Sequence, residues 1–240
     1  MTWLGILFHS FMARFLLIAL IVLFIIPLLF CLLLPKRLLI DNPIFAWLTR
    51  FFYWFCIKGS FLEISYKGRE NIPDQPAIIV ANHQSSFDIP LIGYALGKRH
   101  HIWLALSQLI EWWSLKFILP RVAVLVDTST PMKGLRTLLQ AINILKEHNW
   151  DVIIFPEGNR YTDGAVHDFY GGFATIAQKT GRPVVPIRIF GINKVYPPDA
   201  WLIHYYPVTV IIGKPFIMQP EETEQAFKDR IHQWFLDVKE

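Results

Sequence analysis

Residues 78–88, Ile-Ile-Val-Ala-Asn-His-Gln-Ser-Ser-Phe-Asp, set the architecture of this chain. The apolar run Ile78-Ile79-Val80-Ala81 predicts a buried strand. It breaks at the polar stretch Asn82-His83-Gln84-Ser85-Ser86, and an apolar helical pattern starts at about Phe87. His83 then sits in the loop leaving a strand, with Asp88 in the first turn of the next helix. A carboxylate within reach of an imidazole fixes its tautomer and favours its protonated form, leaving the other ring nitrogen free for chemistry. The same spacing is also that of a helix cap beside a loop histidine.

Working outward, residues 61–67 alternate as a strand, and residues 71–76 form a turn-rich link into the strand at Ile78. Downstream the pattern predicts a helix over 87–96 closed by Gly97 and a strand over 101–106. A helix over 109–118 and a strand over 122–126 follow. Pro131 fits the first turn of a helix over 131–147, with Leu135, Leu138, Leu139, Ile142 and Leu145 at helical spacing. Then come a strand at 152–155, a helix over 169–179, strands at 184–190 and 208–212, and an amphipathic helix over 221–238. Strands interleaved with helices predict an α/β fold: a mixed, largely parallel sheet with helices on both faces. Such sheets carry their sites at the carboxyl ends of strands, which puts the ends of the strands at 78 and 152 on one rim.

The stretch Asp151-Val-Ile-Ile-Phe-Pro-Glu-Gly-Asn-Arg-Tyr-Thr-Asp-Gly164 repeats the logic of strand followed by polar turn. Pro156 ends the strand, Gly158 permits a tight backbone, and Glu157 and Arg160 flank the turn. The guanidinium fork of Arg160 matches a pair of phosphate oxygens. Glu157 is placed to orient that arginine or to accept a hydrogen bond from a substrate hydroxyl. A surface turn with a Glu–Arg ion pair is the simpler alternative. Gly171-Gly172 lacks the strand–GxGxxG–helix order of a dinucleotide site.

The N-terminal sixty residues differ in kind. Residues 15–34 hold no charged side chain, and as a helix they are long enough, at about 30 Å, to cross a bilayer core. Pro27 would bend that helix. Lys36 and Arg37 follow immediately, and no small-residue cleavage site is evident. Residues 43–58 form a second apolar segment whose Trp47, Tyr53 and Trp54 suit a membrane interface. The expected division is therefore an anchor over 1–58, spanning or re-entrant, and a globular domain over 59–240. The positive-inside rule puts that domain on the cytoplasmic side of the inner membrane.

Composition agrees. Hydrophobic residues make up 53%, charged residues 18%, and the mean hydropathy is +0.36, values of a membrane-associated protein. Of the 23 basic and 19 acidic residues, Arg14, Lys36, Arg37, Arg50 and Lys58 face the single acid Asp41 within the first sixty. The surplus charge thus lies beside apolar sequence, which suits anionic lipid, and the balanced remainder argues against nucleic acid. Cys31 and Cys56 in apolar surroundings read as small buried hydrophobes rather than a disulfide or zinc site. His100 and His101 have no carboxylate or cysteine at ligand spacing and read as exposed or interfacial; no metal is expected.

His83-Gln-Ser-Ser-Phe-Asp88 resembles the His-x4-Asp motif of the glycerolipid acyltransferases, the 1-acylglycerol-3-phosphate acyltransferase family. Phe155-Pro-Glu-Gly-Asn-Arg160 resembles that family's Phe-Pro-Glu-Gly-(Thr/Ser)-Arg motif, with Asn159 as the variant. Val185-Pro186-Ile187 resembles its last, proline-centred motif. The resemblance covers about 60–215. It implies that His83 is a general base on an acceptor hydroxyl with Asp88 as its partner, and that Glu157, Gly158, Asn159 and Arg160 shape an acceptor-phosphate site. It also implies a thioester donor, acyl-carrier protein or coenzyme A, a lysophospholipid acceptor, membrane lipids as surroundings, and no cofactor beyond the donor itself. A thioester is already activated, so one base suffices without a covalent enzyme intermediate. Ser85 and Ser86 lack a Gly-x-Ser-x-Gly elbow and read as loop hydrogen-bonders.

One departure bears on the acceptor. The family places an arginine just after the strand at 122–126, where this chain has Asp127-Thr128-Ser129-Thr130-Pro131-Met132. Arg121 precedes that strand, at the opposite rim. The Asp-x-x-x-Pro-Met stretch and Phe169-Tyr-Gly-Gly-Phe173 resemble the acyltransferase domain of the 2-acylglycerophosphoethanolamine acyltransferases instead. Lysophosphatidate is the first expectation for the acceptor, with lysophosphatidylethanolamine as the alternative. A thioester hydrolase and a non-catalytic lipid-binding protein are the rival classes.

Overall fold

The computed structural model describes residues 33–34, 39, 41–111, 116–117, 119–127, 129–198 and 204–240. The segment 15–34 expected as the first membrane helix lies almost entirely outside them, as do Thr128 and Cys31. Among the described residues no helix is long and apolar enough to cross a membrane.

Seven strands form one sheet: β1 (Ile64–Lys67), β2 (Ile78–Ala81), β3 (His101–Leu106), β4 (Ala123–Val126), β5 (Asp151–Ile154), β6 (Val184–Phe190) and β7 (Val208–Ile212). Their order is β1-β7-β6-β2-β5-β3-β4. Every neighbouring pair is parallel except β6 with β7. The expected mixed, largely parallel sheet is therefore observed. β2 lies between β5 and β6, with Val80 opposite Ile154 on one side and Pro186 on the other. All four of its residues are buried, as an uninterrupted apolar strand requires when both sheet faces are covered.

Side chains alternate across the sheet and define two cores. Ile79 and Ala81 join Ile153, Val185 and Ile187 beneath α2 (Asp88–Leu96), whose Leu91, Ile92, Ala95 and Leu96 are buried with them. On the other face α4 (Pro131–Glu147), α5 (Gly172–Thr180) and α6 (Glu224–Asp237) lie against β4, β2 and β6 respectively. There Phe173 and Phe227 are completely buried, and Phe169 meets Phe235 edge-on at 5.1 Å. Each aliphatic side chain buried in this way contributes about 1.5–3 kcal/mol.

Several boundaries differ from expectation for local reasons. β1 begins at Ile64 rather than 61, because Phe61 turns the chain with a positive φ of 53°. A 3-10 turn, Ser107–Glu111, stands where the helix over 109–118 was expected to begin, and the short α3 (Leu119–Val122) leads into β4. α5 starts at Gly172, not 169, since the backbone N–H of Tyr170 is held by the carbonyl of Pro156. α4 has the expected bounds, yet Leu135 and Leu139 are 48% and 47% exposed, while Thr137, Ala141, Ile142 and Leu145 are buried. The helix is rotated from the face that its leucines suggest.

The helix expected over 43–58 is α1 (Pro43–Gly59), capped by Asn42, whose Oδ1 accepts from the N–H groups of Ile44 and Phe45. The chain's two compact units, Met1–Thr49 and Arg50–Glu240, part within this helix. Trp47 and Trp54 are half-exposed, but Tyr53 is buried, a correction to its expected place at an interface. Tyr53 lies against Gly93 of α2, where an added Cβ would stand 2.2 Å from its ring. Its hydroxyl is 3.1 Å from Nε2 of His101, whose Nδ1 in turn faces the carbonyl of Arg99. His101 is therefore turned inward rather than exposed, and burial pushes its pKa down. Cys56 is partly buried, and burial likewise pushes its thiol up to about 11.

At the rim where β5 begins, Arg99 makes a bidentate pair with Asp151, Nε to Oδ2 at 2.6 Å and Nη2 to Oδ1 at 2.7 Å. The same guanidinium donates to the carbonyls of Pro73, Asp74 and Gln75, and Asp151 also accepts from the N–H of Ala77. This cluster fixes the link into β2 from the end opposite the loop that carries His83.

Candidate active site

β2, β5 and β6 run parallel, so the segments following β2 and β5 leave from the same rim, as the sequence predicts. Asn82 continues β2 with its side chain. Its amide donates to the carbonyl of Ile189 at 3.0 Å, and its Oδ1 accepts from the N–H of Ile189 at 2.7 Å. A carboxamide thus mimics one more peptide step of the ladder and fixes the start of the His83 loop to β6.

His83 follows. Its Nδ1 is 2.8 Å from Oδ2 of Asp88, a carboxylate with no solvent exposure. The same Oδ2 accepts from the N–H groups of Gln84 at 2.7 Å and Ser85 at 2.9 Å. Oδ1 of Asp88 is buried and has no hydrogen-bond partner among the described residues. Asp88 is not the cap of α2: Phe87 occupies that position, and the carboxylate faces back into the loop. Ionised Asp88 can only accept, so the ring proton of His83 lies on Nδ1 and the lone pair on Nε2. Phe155 stacks on the imidazole, 3.9 Å between centroids and 12° between planes, and Trp103 backs Phe155 at 5.8 Å.

The turn after β5 holds the histidine's backbone. Oε1 of Glu157 accepts from the N–H of His83 at 3.1 Å, and Oε2 accepts from the N–H of His167 at 3.3 Å. The N–H of Tyr161 donates to the carbonyl of His83 at 2.9 Å. Glu157 is 3% exposed, and among the described residues its carboxylate meets these backbone groups rather than Arg160. Burial raises its pKa, and the two backbone donors oppose that shift. Gly158 has a φ of 71°, and a Cβ there would stand 2.7 Å from the ring of Tyr170. Asn159 is exposed.

Arg160 also departs from the sequence reading. Its Nε donates to Nε2 of His83 at 3.1 Å, so the second ring nitrogen is occupied rather than free. The rim thus joins His83, Asp88, Glu157 and Arg160 in one network, with Gly158 in the turn between the last two. Ser85 Oγ accepts from the N–H of Phe87 within its own loop, as expected, and also donates to the distant carbonyl of Tyr196.

Two residues the sequence reading did not single out belong to this rim. Asn82 is one. Arg188 of β6 is the other: it is 4% exposed, donates through Nη2 to the carbonyl of Gly164, and has its pKa lowered by burial against the opposing charge of Glu157. Its position in a strand that otherwise reads Val-Val-Pro-Ile-x-Ile-Phe was the available signal. Arg121 lies in α3, before β4 and away from the site's rim, as expected. Among the described residues no group of three His, Cys, Asp or Glu could hold a metal ion.

Comparison with known proteins places these motifs. Residues 63–190 match the family model described as acyltransferase. The chain is 34% identical over 163 residues to a chloroplastic 1-acyl-sn-glycerol-3-phosphate acyltransferase of Arabidopsis thaliana, covering 65% of this chain and 44% of that protein. It is 28% identical over 174 residues to the enzyme of that name from Pseudomonas aeruginosa, covering 68% of this chain and 63% of the relative. The crystal structure of the 1-acyl-sn-glycerophosphate acyltransferase of Thermotoga maritima superposes with a TM-score of 0.69 at 27% identity, covering 88% of this chain and 85% of that one. The matched stretch spans under two thirds of the length of these curated relatives. It takes in more than half of this chain and contains both the His83–Asp88 pair and the Glu157–Arg160 turn, and on that match the chain belongs to the acyltransferase family.

Proposed function

We propose that this protein transfers a fatty acyl group from a thioester of acyl-carrier protein or coenzyme A to the sn-2 hydroxyl of 1-acylglycerol-3-phosphate, giving phosphatidate. The observation that carries the reading is the imidazole held between Asp88 and the stacked Phe155, with its Nε2 lone pair at the rim. In the reaction, Nε2 takes the hydroxyl proton as the oxygen adds to the thioester carbonyl. The tetrahedral intermediate then expels the thiolate, which takes that proton back from the imidazolium. Asp88 stabilises the imidazolium through Nδ1–H, and Glu157 holds the loop that presents the ring. The thioester brings its own activation, so no further cofactor enters.

Arg160 supports the acceptor assignment because its terminal nitrogens make no hydrogen bond to the described residues and can take two phosphate oxygens. A second reading, transfer to lysophosphatidylethanolamine, is favoured by Arg121, which approaches β4 from the opposite rim and adds no charge beside Arg160. A phosphodiester carries one negative charge and needs less compensation than a phosphomonoester. Equal concentrations of lysophosphatidate, lysophosphatidylethanolamine and lysophosphatidylglycerol, competing for one labelled donor, decide between them. Lysophosphatidate is expected to have the highest kcat/KM. An advantage for either diester above about tenfold, roughly 1.4 kcal/mol, reverses the assignment.

The proposed setting is the cytoplasmic face of a membrane, with residues 1–58 as anchor and 59–240 as catalytic domain. The uncharged stretch 15–34 and the exposed Trp47 and Trp54 support it. Full-length protein should sediment with liposomes of mixed neutral and anionic lipid in the absence of detergent. Recovery in the supernatant as a monodisperse species contradicts the anchor.

A further inference from the structure

Nε2 of His83 carries one lone pair, and Nε of Arg160 already donates into it at 3.1 Å. The ring cannot offer another, because Asp88 holds the proton on Nδ1. A hydroxyl about to be deprotonated must come within about 2.6–3.2 Å of the same nitrogen. Two donors cannot share one in-plane lone pair, so the guanidinium has to leave before His83 can act as a base.

The acceptor itself supplies the force. Arg160 is only partly buried, follows the exposed Asn159, and has its two terminal nitrogens without hydrogen-bond partners among the described residues. A guanidinium–phosphate contact pairs opposite charges and can be bidentate, whereas the imidazole is neutral and accepts a single bond. A phosphate entering the rim therefore outcompetes the ring for Arg160. We infer that Arg160 is a removable cap on His83: with the rim empty it occupies the base, and the acceptor's phosphate draws it away and uncovers Nε2. The inference rests on His83 as base and Arg160 as phosphate ligand, and it adds a positioning role that neither assignment contains.

The cap bears on a side reaction. An uncovered His83 beside a bound thioester can activate water as readily as an alcohol. Nε2 takes a proton from water as its oxygen adds to the carbonyl. The carbon–sulfur bond then breaks, and the thiolate takes the proton from the imidazolium, leaving a carboxylic acid and a thiol. Capping withholds this hydrolysis until an acceptor is present.

The test uses full-length protein in detergent with palmitoyl-coenzyme A and no acceptor, following thiol release with a chromogenic disulfide. Arg160→Ala should release thiol at least about tenfold faster than wild type, a part of the roughly 10²–10⁴ that a positioned base supplies. Adding His83→Ala to the same chain should abolish the gain. Methyl phosphate, which has the charge of the headgroup but no acceptor hydroxyl, should accelerate release by wild type and leave Arg160→Ala unchanged. Loss of structure would lower every one of these rates. Ethoxycarbonylation of His83 by diethyl pyrocarbonate, read by mass spectrometry, reports access to the ring without any acyl transfer. It should be faster in Arg160→Ala and in wild type with methyl phosphate. An unchanged modification rate in Arg160→Ala overturns the cap. If modification responds as expected but wild type acylates no lysophospholipid, the cap stands and the acyl-transfer assignment falls.

Discussion

His83→Ala should fold as wild type does and lose at least about 10²-fold in acyl transfer, within the roughly 10²–10⁴ span of general-base contributions. The side chain is 13% exposed and stacks on Phe155, so its removal leaves a small solvent-accessible gap rather than a core cavity. Asp88→Asn should be nearly as damaging. The amide keeps the shape and can set its carbonyl oxygen where Oδ2 takes all three bonds, but it cannot supply the charge that stabilises imidazolium. Steady-state transfer, measured alongside circular dichroism and thermal midpoint, separates chemistry from folding. Turnover within a few-fold of wild type by well-folded His83→Ala removes His83 from the reaction.

The second large effect is on stability and lies at the other end of the strands. Asp151 is 1% exposed and takes three hydrogen bonds, two from Arg99 and one from Ala77. Asp151→Ala strands a partly buried guanidinium and leaves the Ala77 N–H without its acceptor. Removing one partner of such a pair costs about 3–5 kcal/mol. That is a large share of the roughly 5–15 kcal/mol that holds a domain folded. Urea unfolding in detergent should show the loss, with transfer per folded molecule little changed because the site is on the opposite rim. A destabilisation below about 1 kcal/mol contradicts this account of the cluster.

The strands were legible because parallel sheets covered on both faces read as short apolar runs ended by polar turns. The two runs that matter most, at Ile78 and Val152, also carry the site motifs. Their placement on one rim follows from parallel pairing alone. Less was legible where long-range partners decide. Leu135 and Leu139 keep helical spacing with Leu138 and Ile142, and nothing local says which flank of that stripe meets the sheet. Asn82 and Ile189 pair across two neighbouring strands far apart in sequence, and neither residue signals the other. Glu157 reads locally as a partner for Arg160, whereas its ligands are backbone groups of a preceding and a following loop. The contact of Arg160 with His83 likewise appears only when both turns are placed side by side.

Glu157 has a bearing on how far this scaffold can be re-engineered. One carboxylate, with one oxygen on the backbone of His83 and the other on that of His167, holds two separate loops of the same rim. A transplant of residues 156–167 from a relative with another headgroup preference therefore does not exchange specificity alone. Unless the incoming segment brings a glutamate with the same reach, the graft also releases the peptide on which the reactive ring is mounted. Modular swapping then stops at Glu157, and the separable part of the turn begins after it.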